Sequence, residues 1–452
     1  MITKVIAFAL CAFFLLAALP SAATEPPAGW LVVSDIHFDP FADPRIAEKL
    51  LVAPGERWRA IFAAAGPQAV SGYGSDTNYA LLESTLEAMR NAEEDPPVIV
   101  LTGDFLAHHF RAKFDKALPG RDEATYDAFV DNTIRFLAAE FRAAYPHTQF
   151  VATIGNNDTY CDDYQMAPNS PFFANFSAAW GIPAAPNGYY TVKLPGKDLT
   201  AIVLNDVFFA AKDTNACVLK NANPAADELA WINSTLASLS GKNAWLVMHV
   251  PPGVDTFSSL AASAGSAPVM FLAPRWNDAL IATLGNTSAN IVAAFSAHTH
   301  MNGYRLIGAD PTRPRIGMLL NPSVSPVYAN NPTFTMIRVG ADGVVQNAAY
   351  YTLQDLSALA KDAHRMAAWR REYDFNAAYG KGAIDAAHLE ALQHAIFDNQ
   401  KTRRRFGQYY DGGSGRAPIT DDTWRAYWCS NVALTATSYL ACAAPQIQPI
   451  KR

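Results

Sequence analysis

Trp30-Leu31-Val32-Val33-Ser34-Asp35-Ile36-His37 is an apolar run that ends on two metal-ligand side chains, Asp35 and His37. Its first five residues read as a buried strand with polar groups at its end. Four more stretches repeat the arrangement. Residues 97–102 run into Gly103-Asp104, residues 150–154 into Gly155-Asn156-Asn157-Asp158, residues 244–248 into His249, and residues 290–296 into Ala297-His298-Thr299-His300. Strands that all carry ligating groups at one end predict an α/β (α+β) fold with its site on one rim of a sheet, where open α/β folds bind ligands.

Helical patterns lie between some of these strands. Over residues 77–94, Leu81, Leu82, Thr85, Leu86 and Met89 share one face, and Pro96 follows the end. Residues 122–144 and 227–239 repeat the pattern, the latter with Asp227 as a candidate cap. Further strands are expected at 189–192, 200–204, 316–320, 333–339 and 344–351, the last three as a meander. Residues 353–400 are rich in Ala, Leu and charge and read as several helices, and 423–440 as a final one. Residues 258–274 are small and apolar, suiting a loop over the site or core packing equally.

The strand-end residues comprise two aspartates, one asparagine and four histidines, enough for two cations. Asp35 and His37 at i, i+2 can converge on one ion at a strand end, with His300 completing the set. Asn156, His249 and His298 suit a second, and the two oxygens of Asp104 can bridge both. Such donors suit two divalent cations, zinc first, with iron or manganese as alternatives. The absence of thiolate argues against a purely structural zinc. A metal pair activates water and polarises phosphoryl oxygens, a standard device for splitting phosphate esters. His108, four residues after Asp104, is a candidate general acid. His109 reads as surface or packing, and Asp158 as a turn cap. Tyr160, Phe172, Trp180 and Tyr328 could meet a substrate but suit core packing better.

Lys4, the apolar run of residues 5–19 and the small residues near 20–23 read as a secretory signal peptide over residues 1–23, with no membrane anchor left after its removal. The mature chain would keep Cys161, Cys217, Cys429 and Cys442. An even count in an exported protein suggests disulfides. Of three possible connectivities, 161–217 with 429–442 keeps each pair within one region. The formal net charge of −6 disfavours a nucleic-acid-binding patch. A small-molecule phosphodiester is the expected partner, for a monomer located outside the cell or in the periplasm.

The ordered motifs resemble the calcineurin-like metallophosphoesterases, over about residues 30–351. Four further features are similar to the acid sphingomyelinase-like phosphodiesterase branch: His108 after Gly103-Asp104, the segment His249-Val-Pro-Pro-Gly253, the stretch from Asn321 to Pro332, and the Cys429, Cys442 pair. The resemblance implies a four-layer metallophosphoesterase β-sandwich flanked by helices over residues 24–352, with a dinuclear site at the sheet edge. It also implies a helical C-terminal subdomain over 353–452 and a local disulfide there. Two departures stand out. Ala297 replaces a glycine. Asn157 replaces the family's histidine near the leaving group, and an amide can donate a hydrogen bond but cannot transfer a proton at neutral pH; Asn157 is therefore a catalytic position with altered chemistry. The lipid-presenting domain of true acid sphingomyelinase is missing before Asp35, which favours soluble nucleotide-like or phosphocholine-type diesters. Sphingomyelin hydrolysis, phosphomonoesterase activity and a silent phosphate-binding protein are the alternatives.

Overall fold

A computed structural model describes residues 29–444 apart from 162, 196–197, 212–216, 218–221, 263–265 and 309–315. The expected signal peptide lies outside the described residues. Two six-stranded sheets form the centre. The first sheet contains β1 (Gly29–Val33), β2 (Val98–Leu101) and β3 (Gln149–Ala152), all parallel. The second contains β4 (Tyr190–Lys193), β5 (Thr200–Val203), β6 (Asn243–Val247), β7 (Asn290–Ser296), β8 (Gly303–Ile307) and β9 (Ile316–Leu320). The first is completed by β10 (Thr333–Val339), β11 (Val345–Leu353) and β12 (Trp369–Asp374). Strand orders are β12-β11-β10-β1-β2-β3 and β4-β5-β6-β7-β9-β8.

The alternation of side chains along each strand builds the layers. From β1 and β2, Trp30, Val32, Val98 and Val100 enter the core between the sheets, where they meet Val203, Trp245 and Phe295. The Trp30 and Trp245 rings lie 5.0 Å apart at its centre. Leu31, Val33, Ile99 and Leu101 point outward onto helices Tyr79–Ala92, Glu123–Ala144 and Pro171–Trp180. Helices Pro224–Ser238 and Pro274–Gly285 cover the outer face of the second sheet. The chain is thus a helix–sheet–sheet–helix sandwich, the four-layer arrangement expected.

Several expectations need correction. The ligand-bearing strands do not share one sheet: β1, β2 and β3 belong to one and β6 and β7 to the other, so the rim is a seam between two sheets. Residues 316–320 join that second sheet, and the meander is instead β10-β11-β12. β12 lies where only helices were expected. Its Trp369-Arg370-Arg371-Glu372-Tyr373 sequence is charged because it is an edge, and charge protects an exposed edge. Asn223, not Asp227, caps the helix Pro224–Ser238. The expected final helix is two, Trp424–Ser430 and Ala436–Ala443, the second started by a Thr435–Ser438 capping box. Residues 258–274 divide between both readings: a short helix Thr256–Ala261 exposes Phe257 and Leu260, while Met270 and Leu272 are buried.

Disulfides join Cys161 to Cys217 and Cys429 to Cys442, as expected. Among the described residues, no helix is long and apolar enough to cross a membrane.

Candidate metal centre

Each ligand-bearing loop is held by backbone hydrogen bonds to its neighbour. Asp35 N donates to Gly103 O (3.0 Å) and His37 N to Asp104 O (2.9 Å). Across the seam, Ser325 N donates to Asp35 O and Ser323 N to His300 O. The two sheets are therefore tied together at the site itself. The loops are also forced. Asp35, His37, Asp104, His298 and His300 all have positive φ, between 44° and 67°. Non-glycine residues adopt that region at a cost of about 1–3 kcal/mol each, and such strain gathers at functional sites. Two glycines are required by close approach. A Cβ on Gly103 would sit 2.8 Å from His249 Nδ1, and one on Gly155 would sit 2.1 Å from Asp104 Oδ1.

These loops bring all seven candidate ligands together. Asp104 Oδ2 lies 3.3 Å from His37 Nε2 and 3.3 Å from His249 Nε2. On one side, His37 Nε2 is 3.8 Å from Asp35 Oδ1 and 3.1 Å from His300 Nε2, and His300 Nε2 is 3.5 Å from Asp35 Oδ1. On the other, His249 Nε2 is 3.0 Å from Asn156 Oδ1, and a ring nitrogen of His298 joins Asp104 and His249 within 4.8 Å. Orientation is set from behind. His37 Nδ1–H donates to Leu106 O and His249 Nδ1–H to Thr102 O, which leaves each Nε2 lone pair facing inward. Asn156 Nδ2 donates to Asp163, turning its amide oxygen inward. Tyr164 Oη lies 2.9 Å from His298 Nε2.

The electrostatics fit a cation pair. Burial pushes the Asp35 carboxyl up to about 7. Burial and the His108 charge push His37 down to about 4, and burial with the His37 charge holds His300 well below its ordinary value. Burial opposes ionisation of Asp104, yet His249 and His37 keep it well below the usual carboxylate range. Asp35 Oδ1 is buried with no hydrogen-bond partner among the described residues. His249 differs: burial lowers it, but the Asp104 charge and hydrogen bond outweigh burial and lift it to about 10, a positive charge beside Asp104 that a cation would replace. The inward nitrogens of His37 and His300 and the unpartnered Asp35 oxygen are what divalent cations would satisfy.

His108 stacks on His37 with ring centroids 3.9 Å apart and lies 5.6 Å from the His300 ring. Its Nδ1–H donates to Asp76 Oδ1 at 2.8 Å, its backbone N–H donates to Asp76 Oδ2, and Lys113 Nζ donates to the same carboxylate at 2.6 Å. Burial pulls the His108 pKa down, but the Asp76 hydrogen bond and charge outweigh it and the net shift is upward. Asp76 itself is held at about 2: burial opposes this, and the His108 hydrogen bond, His37 and Lys113 overcome it. His109, at the surface, takes no part.

Asn157 lies inside the cluster. Its backbone N–H donates to Asp104 Oδ1 and its Nδ2 to Asp104 Oδ2, both at 2.9 Å. Asp158 does more than cap a turn. Its buried carboxylate accepts the N–H groups of Asp104, Phe105, Leu106 and Gly155, against burial and the Asp104 charge, which lift its pKa to about 7. It therefore fixes the loop that carries Asp104. Of the four aromatics named from sequence, Phe172 and Trp180 are core residues and Tyr160 donates to Asp131. Tyr328 is at the site, half-exposed, with its ring 4.6 Å from His300 and its Oη 3.3 Å from His108 Nε2. Asp76 and Asp158 went unread as site residues, because their partners lie 32 and more than 50 residues away.

The profile of the calcineurin-like phosphoesterases matches residues 30–302. The chain is 27% identical over 363 residues to sphingomyelinase phosphodiesterase D of Dictyostelium discoideum, covering 75% of each chain. It is 24% identical to human acid sphingomyelinase-like phosphodiesterase 3b, covering 93% of this chain and 91% of that one. It is 22% identical to cyclic GMP-AMP phosphodiesterase SMPDL3A of Rattus norvegicus, covering 81% of each.

Proposed function

We propose that this chain, which belongs to the calcineurin-like phosphoesterase family, is an exported phosphodiesterase that holds two divalent cations, zinc first, and hydrolyses soluble phosphodiesters or phosphoanhydrides. One observation carries the proposal: Asp104 Oδ2 is equidistant, at 3.3 Å, from the Nε2 atoms of His37 and His249. One cation would take Asp35, His37, His300 and Asp104, the other Asp104, Asn156, His249 and His298. Bound as a pair, such ions supply Lewis-acid polarisation of the phosphoryl group and a nucleophile at neutral pH.

The protein's own groups do the rest. His108 is the general acid: with Nδ1–H held by Asp76, its Nε2–H, 3.3 Å from the Tyr328 hydroxyl at the site, protonates the leaving oxygen. Asn157 steadies Asp104 and offers an amide where the family has a second proton donor, so His108 carries that transfer alone. Two disulfides support export. The catalytic unit is residues 24–352, joined at its sheet edge by β12, and the rest of 353–452 is a C-terminal unit whose helices Gln400–Tyr410 and Trp424–Ser430 wall a cavity beside the metal centre, in a protein that acts as a monomer.

The test is turnover of bis-p-nitrophenyl phosphate, p-nitrophenyl phosphate, ATP and sphingomyelin by metal-supplemented protein, with Asp104→Asn as control. Diester turnover that falls by about 10³-fold or more in the variant supports the proposal. Turnover equal to the variant's on every substrate contradicts it, and a preference for the monoester makes the protein a phosphomonoesterase.

A further inference from the structure

β8 places a charge where an apolar side chain belongs. Along Gly303-Tyr304-Arg305-Leu306-Ile307, side chains alternate between faces. Tyr304 and Leu306 enter the core between the sheets, and Ile307 the outer core. Arg305 shares the face of Ile307. It is 5% exposed, its Nη1 donates to Tyr304 O at 3.1 Å, its Nε faces Pro252 O at 3.4 Å, and it forms no ion pair with a described residue. An arginine keeps its charge in proteins, and a buried cation is unfavourable unless it is paired; the Asp255 charge reaches Arg305, but without an ion pair between them.

Arg305 lines a cavity of about 590 Å³ that also reaches His298 and Tyr328 of the metal centre. Its lining also includes Tyr410, Arg416 and Tyr427, and the Tyr427 hydroxyl is buried with no partner among the described residues. Asp255, the one acidic residue lining it among the described residues, accepts the Ser258 N–H at the start of a short helix. The cavity thus carries two guanidiniums, an unsatisfied hydroxyl and aromatic walls. Arg305 is five positions after His300, so their Cα atoms are at most about 18 Å apart.

We propose that Arg305 forms an anion subsite and that the cavity takes a phosphodiester bearing a second phosphoryl group. The scissile phosphorus would lie at the metal centre, the second phosphoryl at Arg305, and a sugar or aromatic body between them. The proposal rests on the phosphodiesterase reading for its scissile end only. Aromatic walls also suit a quaternary ammonium, but Arg305 would repel a choline group placed beside it.

Three esters with one leaving group provide the test: thymidine 5′-(p-nitrophenyl phosphate), the same compound carrying a 3′-phosphate, and p-nitrophenyl phosphorylcholine. The 3′-phosphate should raise kcat/KM about tenfold, as a charge-assisted contact would. Arg305→Gln should bring that ratio close to one, Arg305→Lys should keep part of it, and the choline ester should rank last. A ratio near one in the native protein, a ratio retained in Arg305→Gln, or a first-ranked choline ester overturns the subsite. Calorimetric binding of thymidine 3′,5′-bisphosphate against thymidine 5′-monophosphate reads the same preference without turnover. If no ester is hydrolysed but the bisphosphate still binds more tightly, the catalytic reading falls and the subsite stands. If the esters are hydrolysed without preference, the reverse holds.

Discussion

The rim that carries the candidate ligands and the wall that faces it across the cavity are built on different plans. On the rim, short loops leave strand ends, five of the seven candidate ligands sit at positive φ, and most of the seven are buried. Buried carboxylates behind the rim accept its backbone N–H groups: Asp158 takes four, and Asp206 takes that of His249. The wall comes from helices Gln400–Tyr410 and Trp424–Ser430, with ordinary helical backbone, tyrosine hydroxyls and the Cys429–Cys442 link. Strain is tolerated where reacting groups must converge, and the two sheets beneath supply the rigidity. The wall needs only shape and a few polar groups, so it can change without disturbing the chemistry. Rim substitutions should therefore act on kcat, and wall substitutions on KM and stability.

The largest expected effect is on the rim. His108→Ala should lower kcat for diesters with poor leaving groups by about 10²–10⁴-fold, and far less for p-nitrophenol, measured across a leaving-group series. An equal loss on all of them would remove His108 from the acid role. The proton carries a pH signature. His108 must be protonated to act, its pKa lies above the ordinary 6.5, and activity should decline as pH rises through that value. In Asp76→Asn the raising partner is gone and burial remains, so the falling limb of log kcat against pH should move to lower pH. An unmoved limb would separate Asp76 from the acid.

Next in size is the wall. Replacing both Cys429 and Cys442 by Ala opens a short loop and should cost about 3 kcal/mol of stability, read by denaturant unfolding under oxidising conditions. Cys429 packs with Val254, Met270 and Tyr439 beside the cavity, so KM should rise while kcat for p-nitrophenyl esters holds. A fall in kcat with KM unchanged would show that rim and wall are not separable. The smallest effect is expected from Asn157→His. Restoring a second proton donor should help alkyl diesters by a few-fold, and the lost amide contact with Asp104 should offset part of the gain. A large gain on p-nitrophenyl esters, which need little protonation, would mean that Asn157 acts otherwise.

The rim was legible because its signals are local. Each candidate ligand follows its own apolar run within a few residues, as Asp35 follows Val33 and His249 follows Met248. What supports the rim was hidden by distance: the partners of Asp158 lie in the Asp104–Leu106 loop, and Asp76 meets His108 only after folding. The assignment of strands to sheets was hidden as well, since β6 and β1 have the same apolar character. Their separation depends on which faces Trp30 and Trp245 present to each other. Away from the rim, β12 resembled a helix because its position at the edge of the first sheet selects charge, and Arg305 carries no local signal because only the burial of β8 makes its charge unusual.

The central claim is that seven side chains hold two cations with Asp104 between them. Anomalous diffraction at the zinc edge, from crystals of the full chain supplied with zinc, tests it most directly. Two peaks are expected, one on each side of the Asp104 carboxylate and about 3.5–4 Å apart. A single peak, or peaks away from Asp104, would contradict the account.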